Sequence, residues 1–570
     1  MKLGFCLKFS LFLFLFLLFA LVVSTFSNKI FAQQAEFGRV IAHIYEDTNK
    51  NGVKNNGENG IDFFNVRLHV GQNCSGRIHW YANTYPNGDA PMGYFSPFIP
   101  VGEYSIDASP NFGWIATTPT CTNVQITSSE INTYDFGMFK TLIPNHYTQL
   151  DPIWNNQTYD HANSIGPFFC GSTIGQCGCA VTAAVALLTS YGVYTSPNGE
   201  DTTPEALNNW LKNRPNGYIN GGVNWLEIAK YAYEANKVYE DSPKIDYKAR
   251  IDFADFETLK TDLDSQKPVI LQVNNRGSMH FVLAGSYLNN SFNIHDPLVE
   301  EYYTKLDKYN NTFAGMRRYE LTNTDLSAIL LAIPAPAKIM VIDSQGRRLG
   351  QDPNTGEIFK EIPGGDFYFE APIGNFDDPD RPEAPDNMGT YFIEILDPIQ
   401  GSYKIKTSSA YNKKAIFIAY DQEGSASSKE FESQRQSSSY QLNYSPQIGS
   451  ELEVSKEVEI DIEPGSPFNF VNPKSKLPIM VAIKTTDGFD AREIDTSTLK
   501  FGPAGTNHIW KPFFWDFDRD RDRDLIAFFR INEAGISDSD EQACIKGKTN
   551  DGESFHGCDK IKIFKWLFRS

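Results

Sequence analysis

Apolar and polar positions alternate in short runs over most of this chain, the pattern of half-buried strands. Arg39 to Tyr45, Asn65 to Val70 and Tyr104 to Ala108 alternate between Gly, Pro and Asn turns, which predicts a β-sandwich over residues 36–140. The period then changes. Ile174 to Gly192 is a run of small and apolar residues closed by a glycine stop, the pattern of a buried helix. Leu226 to Asn236 and Phe253 to Ser265 keep the helical period, after which Pro268 to Asn274, His280 to Leu288 and Phe292 to His295 revert to strands. Helices first and antiparallel strands second predict an α+β domain over residues 141–335. Beyond the prolines of Ile333 to Ala337, alternation returns in Lys338 to Asp343, Tyr391 to Leu396, Tyr403 to Ser408 and Ala415 to Asp421. A second sandwich over 338–450 is expected there, with the acidic stretch Asp377 to Asp386 solvated and the Ser- and Gln-rich stretch Glu423 to Ser439 a flexible loop or linker. Val458 to Ser466 and Pro478 to Lys484 open a last β-module, 456–570.

The first 32 residues stand apart. Lys2 and Lys8 precede an apolar run from Phe9 to Val23, then Ser24 to Asn28 and Ala32, which reads as a secretory signal. The alternative is an uncleaved membrane tether, because the run counted from Leu3 is long enough to span a bilayer. Either way the rest of the chain is expected outside the cytoplasm, secreted or on the extracellular face of the envelope. The formal net charge of −19 argues against nucleic acid as a partner and suits a chain that binds cations.

Cysteine usage agrees with export. Of eight cysteines, Cys6 lies in the apolar segment and seven follow, an odd number. Pairing within each expected domain gives Cys74 with Cys121, Cys170 with Cys177, and Cys544 with Cys558, leaving Cys179 over. Pairing of Cys170 with Cys179 instead is the alternative.

Between the first two strands lies D-T-N-K-N-G-V-K-N-N-G-E, Asp47 to Glu58. Oxygen side chains fall at positions 1, 3, 5 and 12 with glycine at 6, the spacing with which a loop wraps calcium. Asp47, Asn49, Asn51 and Glu58 are the expected side-chain ligands and Val53 the carbonyl ligand, against an Asn- and Gly-rich hairpin holding no metal. With strands on both flanks, Gly60-Ile61 after the loop and Tyr134 to Gly137 at the end, the segment resembles the prealbumin-like B-type domains of serine-aspartate repeat surface proteins. That resemblance implies a calcium-stiffened spacer. A second acidic run, Asp516 to Asp524, has aspartate at every second position and reads either as a cation site or as a solvated charged turn.

The chemistry is expected at Cys179. A cysteine in the first turn of a buried helix meets the positive end of the helix dipole and free amide hydrogens, which is how a nucleophilic thiol is mounted. Such a thiol needs an imidazole on a facing strand and an acceptor that orients it. His280 opens an apolar strand and Asp296 ends the next one, so His280 is the expected base and Asp296 its orienter. His295 is the competing base, but adjacent strand residues point to opposite faces, so it is left outside the site. His146 and His161 fall in irregular segments.

These residues resemble the bacterial family thirty-nine-like cysteine peptidases of the papain clan, relatives of bacteriocin-leader-processing domains. The matching positions are Tyr147, Gln149, Asp151 and Trp154, then Gly178, Cys179 and Thr182; Ala180-Val181 stands where the family usually has Gly-Pro. The resemblance implies a papain-like fold, flanked here by all-β sandwich modules, and a glutamine that donates to the oxyanion. Gln149 fits that role by its segment and Gln176 by its closeness to Cys179; Gln149 is preferred.

The function expected is a secreted or surface-associated cysteine peptidase cutting a peptide or protein substrate through Cys179, His280, Asp296 and Gln149, with no catalytic cofactor and structural calcium. Two alternatives stand beside it: an inactive papain-like domain in a surface adhesion or scaffold protein, and an amidase acting on cell-wall substrates.

Overall fold

A computed structural model describes residues 36–84, 93–111, 113–143, 145–162, 170–288, 291–301, 304–322, 325–371, 388–409, 413–433 and 438–564. The expected signal segment and the acidic stretch Asp377 to Asp386 lie outside the described residues. The chain is β-rich and multidomain, and its contacts divide it after Thr141 into two compact units.

The first unit consists of two sheets. In one, Phe37–Glu46 runs parallel to Ile131–Lys140, with Tyr94–Phe95, Phe98–Pro100 and Trp114–Ala116 completing it; in the other, the order is Ile78–Asn83, Asn65–Val70, Gly102–Ala108, Cys121–Ile126. Alternation explains the packing: Val40, Ala42 and Ile44 from one sheet and Val66, Leu68, Ile106 and Val124 from the other bury together. A disulfide joins Cys74 to Cys121.

The second unit begins with a helical layer: Ile174–Cys177, Cys179–Ser190, Pro204–Lys212 and Trp225–Val238. Thr203 and Asn224 cap the last two by accepting from the amides of Ala206 and Leu226. A six-stranded sheet follows, in the order Ile245–Ile251, Gly315–Leu321, Val269–Asn275, Ser278–Leu288, Ser291–His295, Thr304–Lys305. Both faces are covered. Ile270, Phe281 and Leu283 pack with the cysteine helix, whereas Val269, Leu271, Val282 and Ala284 pack with Leu259 and Leu263 of helix Phe256–Asp264.

The next boundary lies one strand earlier than the prolines suggest. Ala328–Pro334 is the middle strand of a five-stranded sheet, between Thr390–Leu396 and Lys413–Tyr420. Its apolar run serves two cores: Ile329, Leu331 and Ile333 face the sandwich interior, while Leu330 and Ala332 face the helical layer. The Ser- and Gln-rich stretch is not all linker, because Ala426–Ser433 pairs along Lys413–Tyr420 and buries Phe431 in the sandwich core. A nine-stranded sheet runs from Ile358–Lys360 through Ser438–Tyr444 and Glu453–Glu457 to Ile494–Phe501, spanning both expected C-terminal modules. Within it Cys544 is bonded to Cys558.

Candidate active site

The cysteine helix starts at Cys179, directly after Gly178. A side chain at 178 could not be accommodated, since a Cβ there would stand 2.5 Å from the Ile174 carbonyl oxygen. Cys170 and Cys177 form a disulfide immediately upstream, and Cys179 is the free cysteine among the described residues.

Strand Ser278–Leu288 carries His280, and Asp296 follows the end of its neighbour Ser291–His295. His280 Nε2 donates to Asp296 Oδ1 at 2.8 Å. A carboxylate can only accept, so Nε2 carries the hydrogen and Nδ1 is the ring nitrogen left to face the thiol. Cys179 lies close enough to His280 to favour the charged imidazole. Burial disfavours charge on His280, but Asp296 and Cys179 outweigh it, and the imidazole is pushed up to about 9. Burial likewise opposes charge on Asp296, yet His280, Lys308 and Tyr309 together hold its carboxyl well below the usual range.

Asp296 is the best-satisfied group of the site. Oδ1 also accepts from the Leu298 amide at 3.0 Å, and Oδ2 accepts from Lys308 Nζ and Tyr309 Oη, each at 2.6 Å. Cys179, His280 and Asp296 are each 0% exposed. Tyr159 and Tyr309 both lie close to Cys179.

Gln149 is tied to the turn that precedes Cys179. The segment holding it is laced to the strand end: the Tyr147 amide donates to His295 Nε2 at 2.9 Å, and the Gln149 amide donates to the Pro297 carbonyl at 2.9 Å. The Gln149 side chain, fully buried, donates from Nε2 to the Gly175 carbonyl at 2.7 Å, one turn before Cys179. That bond uses one amide hydrogen and leaves the second available. Trp154 supports the segment through Nε1, which donates to the Thr148 carbonyl at 2.7 Å, and Asp151 accepts from the Ile153 amide at 2.9 Å. Gln176 is exposed and accepts from the Ser172 amide.

His295 faces elsewhere. Burial, then the neighbouring His146, pushes its imidazole down to about 3, so it stays neutral and acts as an acceptor for Tyr147. Lys308 and Tyr309 were not legible as site residues, because they act from a 3-10 turn, Leu306–Tyr309, that no motif marks.

In the first unit, the loop Asp47 to Glu58 closes on its own carboxylates. Asp47 accepts from the amides of Asn51 at 3.2 Å and Gly52 at 2.7 Å; Glu58 accepts from those of Thr48 at 3.1 Å and Asn55 at 2.7 Å. Asn49 and Asn51 both donate their side-chain amides to Asn55 Oδ1, at 2.7 and 2.9 Å, so Asn55 joins the set. Two buried carboxylates and three amide oxygens on one turn are a hard-oxygen set of the kind calcium takes. Val53 lies in the same turn, its amide donating to Asn51 Oδ1 at 2.8 Å. In the last module, the ligand oxygens of Asp516, Asp518 and Asp520 lie within 4.8 Å of one another.

Residues 150–325 match the Peptidase_C39 like family. The matched span holds the cysteine helix, the His280 strand and Asp296, so a Peptidase_C39-like domain occupies the middle of the chain; Gln149 falls one residue before it. No curated protein matches. Solved structures that align include GBS52, the minor pilin of Streptococcus agalactiae, at 12% identity with a TM-score of 0.14, over 18% of this chain and 45% of that one. The major pilin subunit BcpA of Bacillus cereus aligns at 8% identity with a TM-score of 0.16 over 93% of each chain. Titin Ig tandem domains align at 10% identity with a TM-score of 0.10, over 43% of this chain and 99% of theirs. Among the described residues no helix is long and apolar enough to cross a membrane.

Proposed function

We propose that this protein is an exported cysteine peptidase with a papain-like catalytic domain, in which Cys179 is the nucleophile, His280 the base and acid, Asp296 the orienter and Gln149 the oxyanion donor. The observation that carries the reading is the continuous chain of contacts from Asp296 through His280 to Cys179, inside the region that matches a peptidase family. His280 takes the thiol proton, and the sulfur attacks the substrate carbonyl carbon. The second amide hydrogen of Gln149 meets the developing oxyanion, a contribution of about 3 kcal/mol to the transition state. The imidazolium then protonates the leaving amine, and water, deprotonated by His280, releases the acyl group.

Three disulfides support export to an oxidising compartment. Calcium is the structural metal of this reading: held by Asp47, Glu58 and the amide oxygens of Asn49, Asn51 and Asn55, with the Val53 carbonyl, it would stiffen the first unit. A second reading, a catalytically silent scaffold of the same fold, draws support from the full burial of Cys179 and His280. Profiling of new N-termini in a denatured proteome separates the two. The wild-type chain should generate cleavages that Cys179→Ala does not, and identical profiles would sink the peptidase reading.

A further inference from the structure

Asp296 receives more than the one hydrogen bond needed to orient an imidazole. One oxygen serves His280 and the Leu298 amide, and the other is taken by Lys308 and Tyr309, both from the 3-10 turn Leu306–Tyr309. That turn is anchored. Leu306 and Tyr309 are buried against the sheet with Val273 and Val282, whereas the Lys308 side chain is 38% exposed. A single turn therefore brings one neutral donor and one ammonium to the same carboxylate oxygen. The Tyr309 ring also stands 6.0 Å from the His280 ring.

We propose that Lys308 and Tyr309 are positioning residues that act through Asp296 to decide how tightly the His280 imidazolium is held beside Cys179; the proposal rests on the peptidase reading above. A carboxylate already matched by an ammonium on one oxygen attracts a proton less strongly at the other. The groups that face Asp296 are His280, Lys308, Tyr309 and, across the strand end, His146 and His295, both of which burial pushes toward the neutral form. Those that face His280 are Asp296, Cys179 and the Tyr309 ring. In this cluster Lys308 is the cation other than His280 itself, so its removal strengthens the pull of Asp296 on the imidazolium.

The charge on His280 can be read without a substrate. Anionic iodoacetate is drawn to a sulfur beside an imidazolium, whereas neutral iodoacetamide is not, so the ratio of their rates falls as His280 loses its proton. The full-length Cys179→Ala protein supplies the background from Cys6. With Lys308→Met the midpoint of that fall should move up by about half a pH unit, a threefold change in the protonation equilibrium, for a partly exposed charge acting through one carboxylate. Tyr309→Phe should move it in the same direction, and Lys308→Arg should restore the wild-type midpoint. If the wild-type ratio shows no fall at any pH, His280 carries no charge beside Cys179 and the peptidase reading itself fails. If the wild type titrates but Lys308→Met leaves the midpoint in place or lowers it, this proposal alone is overturned.

Discussion

Replacing Asp296 with asparagine separates the charge of the site from its shape. Four donors converge on the carboxylate, from His280, Leu298, Lys308 and Tyr309. An amide of the same size offers one acceptor oxygen and turns two hydrogens toward donors. His280 then loses one of the two groups that raise it, Cys179 being the other, and burial, the largest single influence on it, favours the neutral ring. In the wild type the imidazole titrates at about 9 in the fold against 6.5 when free. At about 1.4 kcal/mol per pH unit, that difference corresponds to about 3 kcal/mol of folding stability. Below pH 6.5 the ring is protonated both folded and unfolded, and the full contribution is present. As pH rises through about 9 the folded ring loses its proton and the contribution goes with it. The stability advantage of wild type over Asp296→Asn should therefore be largest at pH 6.5 and shrink by about 3 kcal/mol by pH 9.5. Urea unfolding followed by tryptophan fluorescence is suited to the measurement, since Trp210 and Trp225 lie in the core around the cysteine helix. Taking the difference between the two proteins cancels other groups that titrate in this range. An advantage that stays constant from pH 6.5 to 9.5 would mean that His280 is not charged in the fold, and its assignment as base to Cys179 would be withdrawn.

Gln149→Ala should lower peptide hydrolysis about a hundredfold through loss of the oxyanion donor, whereas Gln176→Ala should leave it nearly unchanged; the reverse order in a steady-state assay would move the role to Gln176. Calcium at a hundred times its dissociation constant should stabilise the first unit by about 2.7 kcal/mol, seen by calorimetry with and without chelator, and Asp47→Asn with Glu58→Gln should remove the increment. Absence of any calcium-dependent transition would withdraw the metal. Glu394 has its carboxyl pushed up to about 8, chiefly by burial. The unfolded chain ionises there first, so Glu394→Gln should abolish a loss of stability between pH 4.5 and 8 of at most about 4 kcal/mol; parallel stability curves for the two proteins over that interval would contradict it.

The parts of this molecule that could be read from the sequence are those where one side chain's neighbours are set by local period. Gly178 and the small-residue run after Cys179 specify a buried helix, and the apolar alternation through Phe281 and Leu283 specifies a strand that packs against it. What was not legible depends on contacts between segments far apart in the chain. The prolines near 335 suggest a linker, yet Ala328–Pro334 is buried on both faces because it closes the helical core and opens the sandwich core at once. A strand shared by two cores looks, in sequence, like the end of either domain. The same reason hid Lys308 and Tyr309: each is an ordinary surface-type or aromatic residue on a short turn, and only the fold of the sheet brings that turn under Asp296. Gln149 lies between these cases. Its segment could be singled out by its order of Tyr, Gln, Asp and Trp, but its bond to Gly175 closes a 26-residue separation and its lacing to Pro297 joins segments more than a hundred residues apart. A site built this way has its nucleophile and base fixed by local elements and its electrostatic tuning fixed by tertiary contacts. Substitution of Lys308, the partly exposed residue of that turn, should thus alter the working pH of the site more than the ability of the chain to fold.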